Sequence, residues 1–284
     1  MEARLMADRY AVIGHPIGHS KSPHIHAAFA AQTGQDLRYD AVLGELEGFE
    51  AQVARLAQEG LRGINVTLPF KERALALADR ATPRARAAGA ANTLAVTDDG
   101  VLADNTDGVG LLRDLTRRQG QQLAGARILV LGAGGAVRGI LGPLLAAQPA
   151  CLHVHNRTPE RASALLAGYA THPQAALLAA LDVAQLELQS PYDLVINGTS
   201  ASLSGGALAL PAGIFRRAGA ACDLAYRPEG STPFLEQARA AGVVRLADGL
   251  GMLVEQAAES FLLWRGVRPD TDPVMRELRP SGPA

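Results

Sequence analysis

The middle of the chain carries the run Arg127-Ile128-Leu129-Val130-Leu131, followed at once by Gly132-Ala133-Gly134-Gly135-Ala136-Val137-Arg138. The apolar run predicts a buried parallel strand that breaks at Gly132, and residues 136–145 then read as a helix. A dinucleotide-binding fold needs strand, glycine turn and helix in this order. Glycines let the backbone turn tightly and approach a pyrophosphate, whose charge faces the positive N-terminal end of the helix. Such a turn also closes ordinary strand–helix units, so alone it is a weak signal. Val137 moreover occupies the place of the third glycine in the simplest fingerprint.

The end of the next strand strengthens the reading. Leu152-His153-Val154-His155 runs into Asn156-Arg157-Thr158, with Arg161 one helical turn on. A site for NAD usually places Asp or Glu there for the ribose hydroxyls. Two arginines suit the 2′-phosphate of NADP instead, because a guanidinium pairs with phosphate through charged hydrogen bonds. The plainer alternative is a strand–helix turn with solvated arginines.

A length of 284 residues suits two domains, and 48% hydrophobic residues can fill two modest cores. The formal charge of -1 gives no general attraction for nucleic acid or acidic membranes, so an anionic ligand must be met by local positive charge. Cys151 and Cys222 are isolated, which suggests neither a disulfide framework nor a thiolate metal site and fits a reducing cytosol. The seven histidines show no zinc-site spacing, and no metal is expected. The first ten residues are charged and lack the apolar segment of a secretory signal. No apolar run is long enough to span a bilayer. The expectation is a soluble cytoplasmic protein with a small-molecule partner and neither nucleic acid nor membrane.

Strands and helices alternate throughout, which predicts an α/β fold with largely parallel sheets. In the first third, 10–13, 39–43 and 63–67 read as strands, with helices over 23–31 and 49–57. Strands 93–96 and 101–103 flank Asp98-Asp99-Gly100, a good hairpin turn. A helix over 108–118 leads into the glycine-turn region, with strands at 127–131, 152–155, 193–197, 220–224 and 243–246. The alanine- and leucine-rich stretch 160–188 is assigned to helices. A last helix covers 252–265, with Gly266 as its stop.

Four polar islands are not explained by packing. In Gly14-His15-Pro16-Ile17-Gly18-His19-Ser20-Lys21-Ser22-Pro23, Ser22 before proline reads as a helix N-cap, which leaves Ser20 unexplained. In Asn65-Val66-Thr67-Leu68-Pro69-Phe70-Lys71, a period of two puts Asn65, Thr67 and Pro69 on one side and Val66 and Leu68 on the other. Lys71 follows the proline at the strand end, where α/β sheets bind ligands, although a lysine there also suits a solvated helix start. The third island joins Ala91-Asn92-Thr93 to Asp104-Asn105-Thr106-Asp107-Gly108, where Asp107 serves the following helix or a substrate hydroxyl. In the fourth, Gln256 lies on an inward stripe four residues before Ser260, and a buried glutamine needs a partner.

Taken together and in this order, the islands, the glycine turn, Asn156-Arg157-Thr158 and Ala247-Asp248-Gly249-Leu250-Gly251-Met252 resemble the shikimate dehydrogenases over nearly the whole chain. The resemblance implies reduction of 3-dehydroshikimate to shikimate with NADPH, a step of aromatic amino-acid biosynthesis. It implies an N-terminal α/β substrate domain over 1–107, a Rossmann-like nucleotide domain over 108–250, and a C-terminal helix returning to the first domain (251–284). The molecule would act as a monomer or homodimer. Ser20 and Ser22 would bind the substrate carboxylate with the Tyr226 hydroxyl, while Asn65, Thr67, Lys71, Asn92, Asp107 and Gln256 would hold the ring hydroxyls and the reacting oxygen. Gly132, Ala133, Gly134, Gly135 and Ala136 would take the pyrophosphate, and Asn156, Arg157, Thr158 and Arg161 the adenosine phosphate. Backbone at Leu224 and Gly249 would border the nicotinamide.

Lys71 combines a positive charge, a transferable proton and a position at a strand end, so it is assigned as general acid in reduction and base in oxidation, with Asp107 as its partner. The alternative division of labour makes Lys71 purely electrostatic, with a water or Asp107 moving the proton. Two departures stand out: Gly198 in Asn197-Gly198-Thr199-Ser200 replaces the family's common alanine, and Leu224 replaces a frequent methionine. The nearest rival is an NAD-preferring quinate/shikimate dehydrogenase, against which Arg157 and Arg161 count. A non-catalytic NADP-binding regulator is the rival from another class, and such a protein need not keep Lys71 and Asp107.

Overall fold

Among the described residues, two sheets of six strands each carry the chain. The computed structural model describes residues 7–189, 191–202, 208, 210–215, 218–227 and 231–279. The chain divides into two compact units, Met1–Gly110 with Val254–Ala284, and Leu111–Leu253. Among the described residues, no helix is long and apolar enough to cross a membrane.

The first unit runs β1 (Asp8–Gly14), α1 (Ser22–Thr33), β2 (Leu37–Leu43), α2 (Phe49–Gln58), β3 (Leu61–Val66), α3 (Lys71–Ala76), β4 (Arg80–Ala81), α4 (Pro83–Ala88), β5 (Thr93–Thr97) and β6 (Gly100–Asp104). Its sheet has the order β2-β1-β3-β5-β6-β4. β1 lies parallel to β2 and β3, and β5 runs antiparallel to both β3 and β6. Ala11 and Ile13 of β1 pack with Ile64, Val66, Phe49, Phe70 and Leu94 into one apolar cluster. The expected hairpin at Asp98-Asp99-Gly100 joins β5 to β6, and Gly100 takes the positive φ of +99° that such a turn asks of glycine.

α5 (Asp107–Arg113) leads out of that sheet and continues as a π-helical turn over Asp114–Arg118, where a regular helix was expected. The second unit follows with β7 (Arg127–Leu131), α6 (Gly135–Ala146), β8 (Cys151–His155), α7 (Pro159–Ala167), β9 (Leu178–Ala180), α8 (Val183–Gln189), β10 (Leu194–Asn197), β11 (Ala220–Asp223), α9 (Pro233–Ala240) and β12 (Arg245–Ala247). Its six strands are all parallel, in the order β12-β11-β10-β7-β8-β9. Numbered within the unit and read from the other edge, this is the 3-2-1-4-5-6 order of doubly wound dinucleotide folds. Alternate residues of β7 face opposite layers. Ile128 and Val130 pack with Ile140, Leu141 and Leu144 of α6, while Leu129 and Leu131 pack with Phe215 and Phe234. The chain ends with α10 (Leu250–Arg265) and α11 (Asp272–Leu278).

Three expectations are corrected. The stretch 160–188 is not all helix, because Leu178–Ala180 pairs with Leu152–Val154 as an edge strand; sheet pairing overrides the helical preference of alanine and leucine there. Ser22 is not the N-cap of α1. It is the first helical residue, Lys21 takes the cap position, and no side chain caps the helix. Leu68 does not share the core side with Ile64 and Val66, because β3 stops at Val66 and Leu68 stands 58% exposed in the turn beyond it.

Candidate active site

The first unit gathers its polar islands at the ends of β1, β3 and β5. Pro69 cannot donate to a sheet ladder, so β3 ends before it, and the chain turns through the cis Leu68–Pro69 bond. Phe70 anchors the turn by stacking on Phe49 at 4.5 Å, and Lys71 opens α3. The His15 N–H donates to the Leu68 carbonyl at 2.9 Å and the Thr67 N–H to Ile13 at 2.9 Å, which joins the first island to the second.

Lys71 Nζ donates to Asp107 Oδ2 at 2.6 Å, with the two side chains only 16% and 7% exposed. Asp107 opens α5, and its N–H donates to Asn105 Oδ1 at 3.2 Å. The Ala91 N–H donates to the Lys71 carbonyl at 2.8 Å and brings Asn92 alongside. Asn92 Nδ2 then meets three acceptors: Asp107 Oδ1 at 2.8 Å, Thr106 Oγ1 at 2.9 Å and Gln256 Oε1 at 3.1 Å. One amide has two protons for those three oxygens, and Thr106 Oγ1 also donates to Gln256 Oε1 at 3.3 Å, so the four side chains form one shared polar cluster. Gln256 is buried as its stripe predicts, and its partners include Asn92 and Thr106. Its approach depends on Gly110 of α5, where an added Cβ would stand 2.7 Å from the Gln256 nitrogen.

Asn65 extends the network. Its Nδ2 faces Ser260 Oγ at 3.0 Å, Thr93 Oγ1 at 3.1 Å and the Asn92 carbonyl at 3.2 Å, and its Oδ1 accepts from the Tyr39 hydroxyl at 2.6 Å. Burial pushes the Tyr39 phenol well above its ordinary range, with a hydrogen bond to Ser22 pulling the other way. The Ser22 N–H donates to Ser20 Oγ at 3.3 Å, so both serines join the same connected set as Lys71. Beneath them His26 is fully buried and stacks on Tyr39 at 4.2 Å, and burial pushes its imidazole down to about 3.

Tyr39, Thr93, Thr106, Ser260 and His26 were not singled out from sequence. Thr93 and Thr106 lay inside islands already recognised, and Ser260 sits one turn beyond Gln256 on the inward stripe, so a polar residue at a core position was the available signal. Tyr39 and His26 gave none, since an aromatic in a strand and a histidine on a buried helix face are ordinary core residues.

In the second unit Gly132 takes a φ of +105° between β7 and α6. Its N–H donates to the His155 carbonyl at 2.7 Å, which sets the turn beside the Asn156 segment. An added Cβ at Gly134 or Gly135 would meet nothing within 4 Å, so open space lies over the turn. No side chain caps α6 and no acidic residue stands in its first turn. Arg138 is the first residue of this helix start to return an N–H to the chain, donating to the Gly134 carbonyl at 3.0 Å. Asn156 Nδ2 closes its own turn on the Thr158 carbonyl at 2.8 Å, and Arg157 and Arg161 are exposed. Free helix-start N–H groups, open space above glycine and two exposed guanidinium groups fit a dinucleotide that carries an extra phosphate.

At the other strand ends, Gly249 is pressed against Leu224: an added Cβ would lie 2.0 Å from the Leu224 oxygen. Just before Leu224, the buried Asp223 accepts hydrogen bonds from Asn197 Nδ2 at 3.0 Å, Ser202 Oγ at 2.5 Å, Thr232 Oγ1 at 2.6 Å and the Ala225 N–H at 3.1 Å. Tyr226 follows on this segment, its phenol pushed up by burial and then by the Asp248 carboxylate.

Residues 12–94 match the model of the shikimate dehydrogenase substrate binding domain, 114–204 that of shikimate / quinate 5-dehydrogenase, and 249–279 that of the shikimate 5'-dehydrogenase C-terminal domain. The NADP(+) shikimate dehydrogenase of Aromatoleum aromaticum is 54% identical over 96% of this chain and 97% of its own. An Ael1 enzyme from Pseudomonas putida superposes with a TM-score of 0.90 at 50% identity, covering 97% of this chain and 99% of that one. The shikimate 5-dehydrogenase of Thermus thermophilus, solved in complex with NADP(H) and shikimate, superposes with a TM-score of 0.84 at 37% identity, covering 95% of this chain and 98% of that one. With matches of this identity along nearly its whole length, the chain belongs to the shikimate dehydrogenase family.

Proposed function

We infer that the chain catalyses the reversible, NADP-dependent reduction of 3-dehydroshikimate to shikimate in aromatic amino-acid biosynthesis, in the cytoplasm. The observation that carries the chemistry is the Lys71–Asp107 pair, 2.6 Å apart and largely sheltered, ringed by the neutral donors and acceptors of Asn92, Thr106 and Gln256. Bound NADPH supplies the hydride.

Reduction builds negative charge on the substrate's carbonyl oxygen. The Lys71 ammonium stabilises that charge and delivers the proton, and in the oxidative direction the neutral amine takes it back. Asp107 holds Lys71 in place through Oδ2, while Oδ1, Asn92 and Gln256 accept from or donate to the ring hydroxyls. Asn65 and Thr67 join Lys71 in holding the ring hydroxyls and the reacting oxygen. Ser20 and Ser22 take the carboxylate, because hydroxyl donors satisfy an anion without the desolvation cost of a buried cation. The 132–136 turn takes the pyrophosphate, and Asn156, Arg157, Thr158 and Arg161 take the adenosine phosphate. In this reading 1–107, completed by 251–284, binds substrate, and 108–250 binds the nucleotide.

Steady-state oxidation of shikimate and of quinate, each with NADP and with NAD, tests the proposal. Shikimate with NADP is expected to dominate. A preference for quinate with NAD would move the assignment to the NAD-preferring branch, and no turnover with any pair would overturn it.

A further inference from the structure

Asp104, at the end of β6, is a buried carboxylate three residues before Asp107 and outside the reaction described above. Its Oδ1 accepts from Thr82 Oγ1 at 2.6 Å, from Arg84 Nε at 2.6 Å and from the Asn105 N–H at 2.8 Å. Arg84 closes the fork with Nη2 on the other oxygen. The same guanidinium sends Nη1 to Glu259 Oε1 at 3.2 Å, on α10 one turn beyond Gln256. Glu259 in turn accepts from Arg268 Nη1 at 2.7 Å, and Arg268 Nη2 donates to Glu255 Oε2 at 2.7 Å, the residue just before Gln256. Thr271 Oγ1 donates to the other Glu255 oxygen at 2.6 Å. One planar cation thus grips the strand end that leads to Asp107 and the helix that carries Gln256, and those two side chains both accept from the same Asn92 amide.

A surface ion-pair chain contributes little on its own. Here, however, the ladder's inner end is a carboxylate only 1% exposed, and both its arms end within one turn of a proposed substrate contact. We propose that Arg84 is a positioning residue for the shikimate reaction: by holding Asp104 and Glu259 together it sets the spacing between Asp107 and Gln256. The proposal rests on the function inferred above.

The test uses the full chain with Arg84→Lys and Glu259→Gln. Lysine keeps the charge beside Asp104, but a point-like ammonium cannot bind one carboxylate as a fork and reach a second. Glu259→Gln leaves the Asp104 fork intact and weakens only the arm to α10, so it carries the same test should Arg84→Lys fold poorly. Each variant is expected to lower kcat/KM for shikimate, by roughly tenfold for Arg84→Lys, since small misplacements of positioned groups cost this much or more. NADP affinity should stay within about twofold of the parent, the outcome for a device confined to the first unit. In a Gln256→Ala background the Arg84→Lys effect should shrink below about twofold, because the group whose place it sets has gone.

A full effect in that background, or native-like kcat/KM in folded Arg84→Lys and Glu259→Gln, overturns the proposal. Hydrogen exchange reads placement without substrate: amides in 104–108 and 254–260 should exchange faster in Arg84→Lys while 8–14 stay unchanged. If the unmodified protein does not oxidise shikimate, the functional reading fails, and exchange alone decides whether Arg84 sets this spacing.

Discussion

Val137 fills the space that a side chain on Gly198 would need: a Cβ built on Gly198 would stand 2.5 Å from Val137 Cγ2. Val137, which stands in place of the fingerprint's third glycine, and Gly198, which stands in place of the family's common alanine, therefore meet in one packing contact. A larger residue in α6 after the glycine turn is matched by a smaller one after β10, and the two strand ends keep their separation. Gly198→Ala alone should overpack the contact and cost about 1–3 kcal/mol, with weaker NADP binding. Adding Val137→Ala should restore most of both. Thermal unfolding and NADP titration of the two variants measure this, and a neutral Gly198→Ala would show that the contact yields freely.

His26 makes stability depend on pH. It is fully buried and neutral, with its imidazole pushed down to about 3, whereas the unfolded chain has an ordinary histidine near 6.5. Between those values the unfolded state binds the extra proton, so stability rises with pH across that window and this contribution is fully present above it. The slope from one such group is at most about 1.4 kcal/mol per pH unit. Replacing His26 by Phe, which keeps a ring against Tyr39, should flatten the urea-unfolding profile between about pH 4 and 6. An unchanged slope would place the acid sensitivity elsewhere.

Cofactor choice should follow Arg157 and Arg161. Both are exposed, so their pairing with phosphate is partly screened by solvent. Replacing both with Ala should still raise KM for NADP by roughly tenfold or more, and that for NAD far less. Equal use of the two cofactors by the unmodified protein would sink the assignment.

Ser20→Ala and Ser22→Ala should each weaken shikimate binding by about 1 kcal/mol, the worth of one hydrogen bond, and leave NADP affinity intact. Calorimetric titration with each ligand separates the two effects. Normal shikimate binding by both variants would put the carboxylate elsewhere.

The glycine turn, the hairpin at Asp98-Asp99-Gly100 and the inward stripe of Gln256 were legible in the sequence because each depends on local rules: a turn that needs glycine, a strand period, a helical period. The edge strand at Leu178–Ala180 was not, since its partner β8 lies a helix away in sequence and its own residues favour helix. Ser22 shows a subtler limit. The sequence rule for a serine before proline is sound, yet the chain starts α1 one residue earlier, and the hydroxyl serves the Tyr39–Asn65 network instead of the backbone. Tyr39 gave no signal, and Ser260 gave only its place on the inward stripe, because both take their roles from Asn65, which lies 26 and 195 residues away from them along the chain.

The Lys71–Asp107 pair carries the central claim, and turnover of Lys71→Ala at saturating shikimate and NADP tests it most directly. The account expects a folded variant that binds NADP as the parent does but turns over roughly a hundredfold more slowly or worse, the scale of a lost general acid. Turnover close to that of the parent would contradict it.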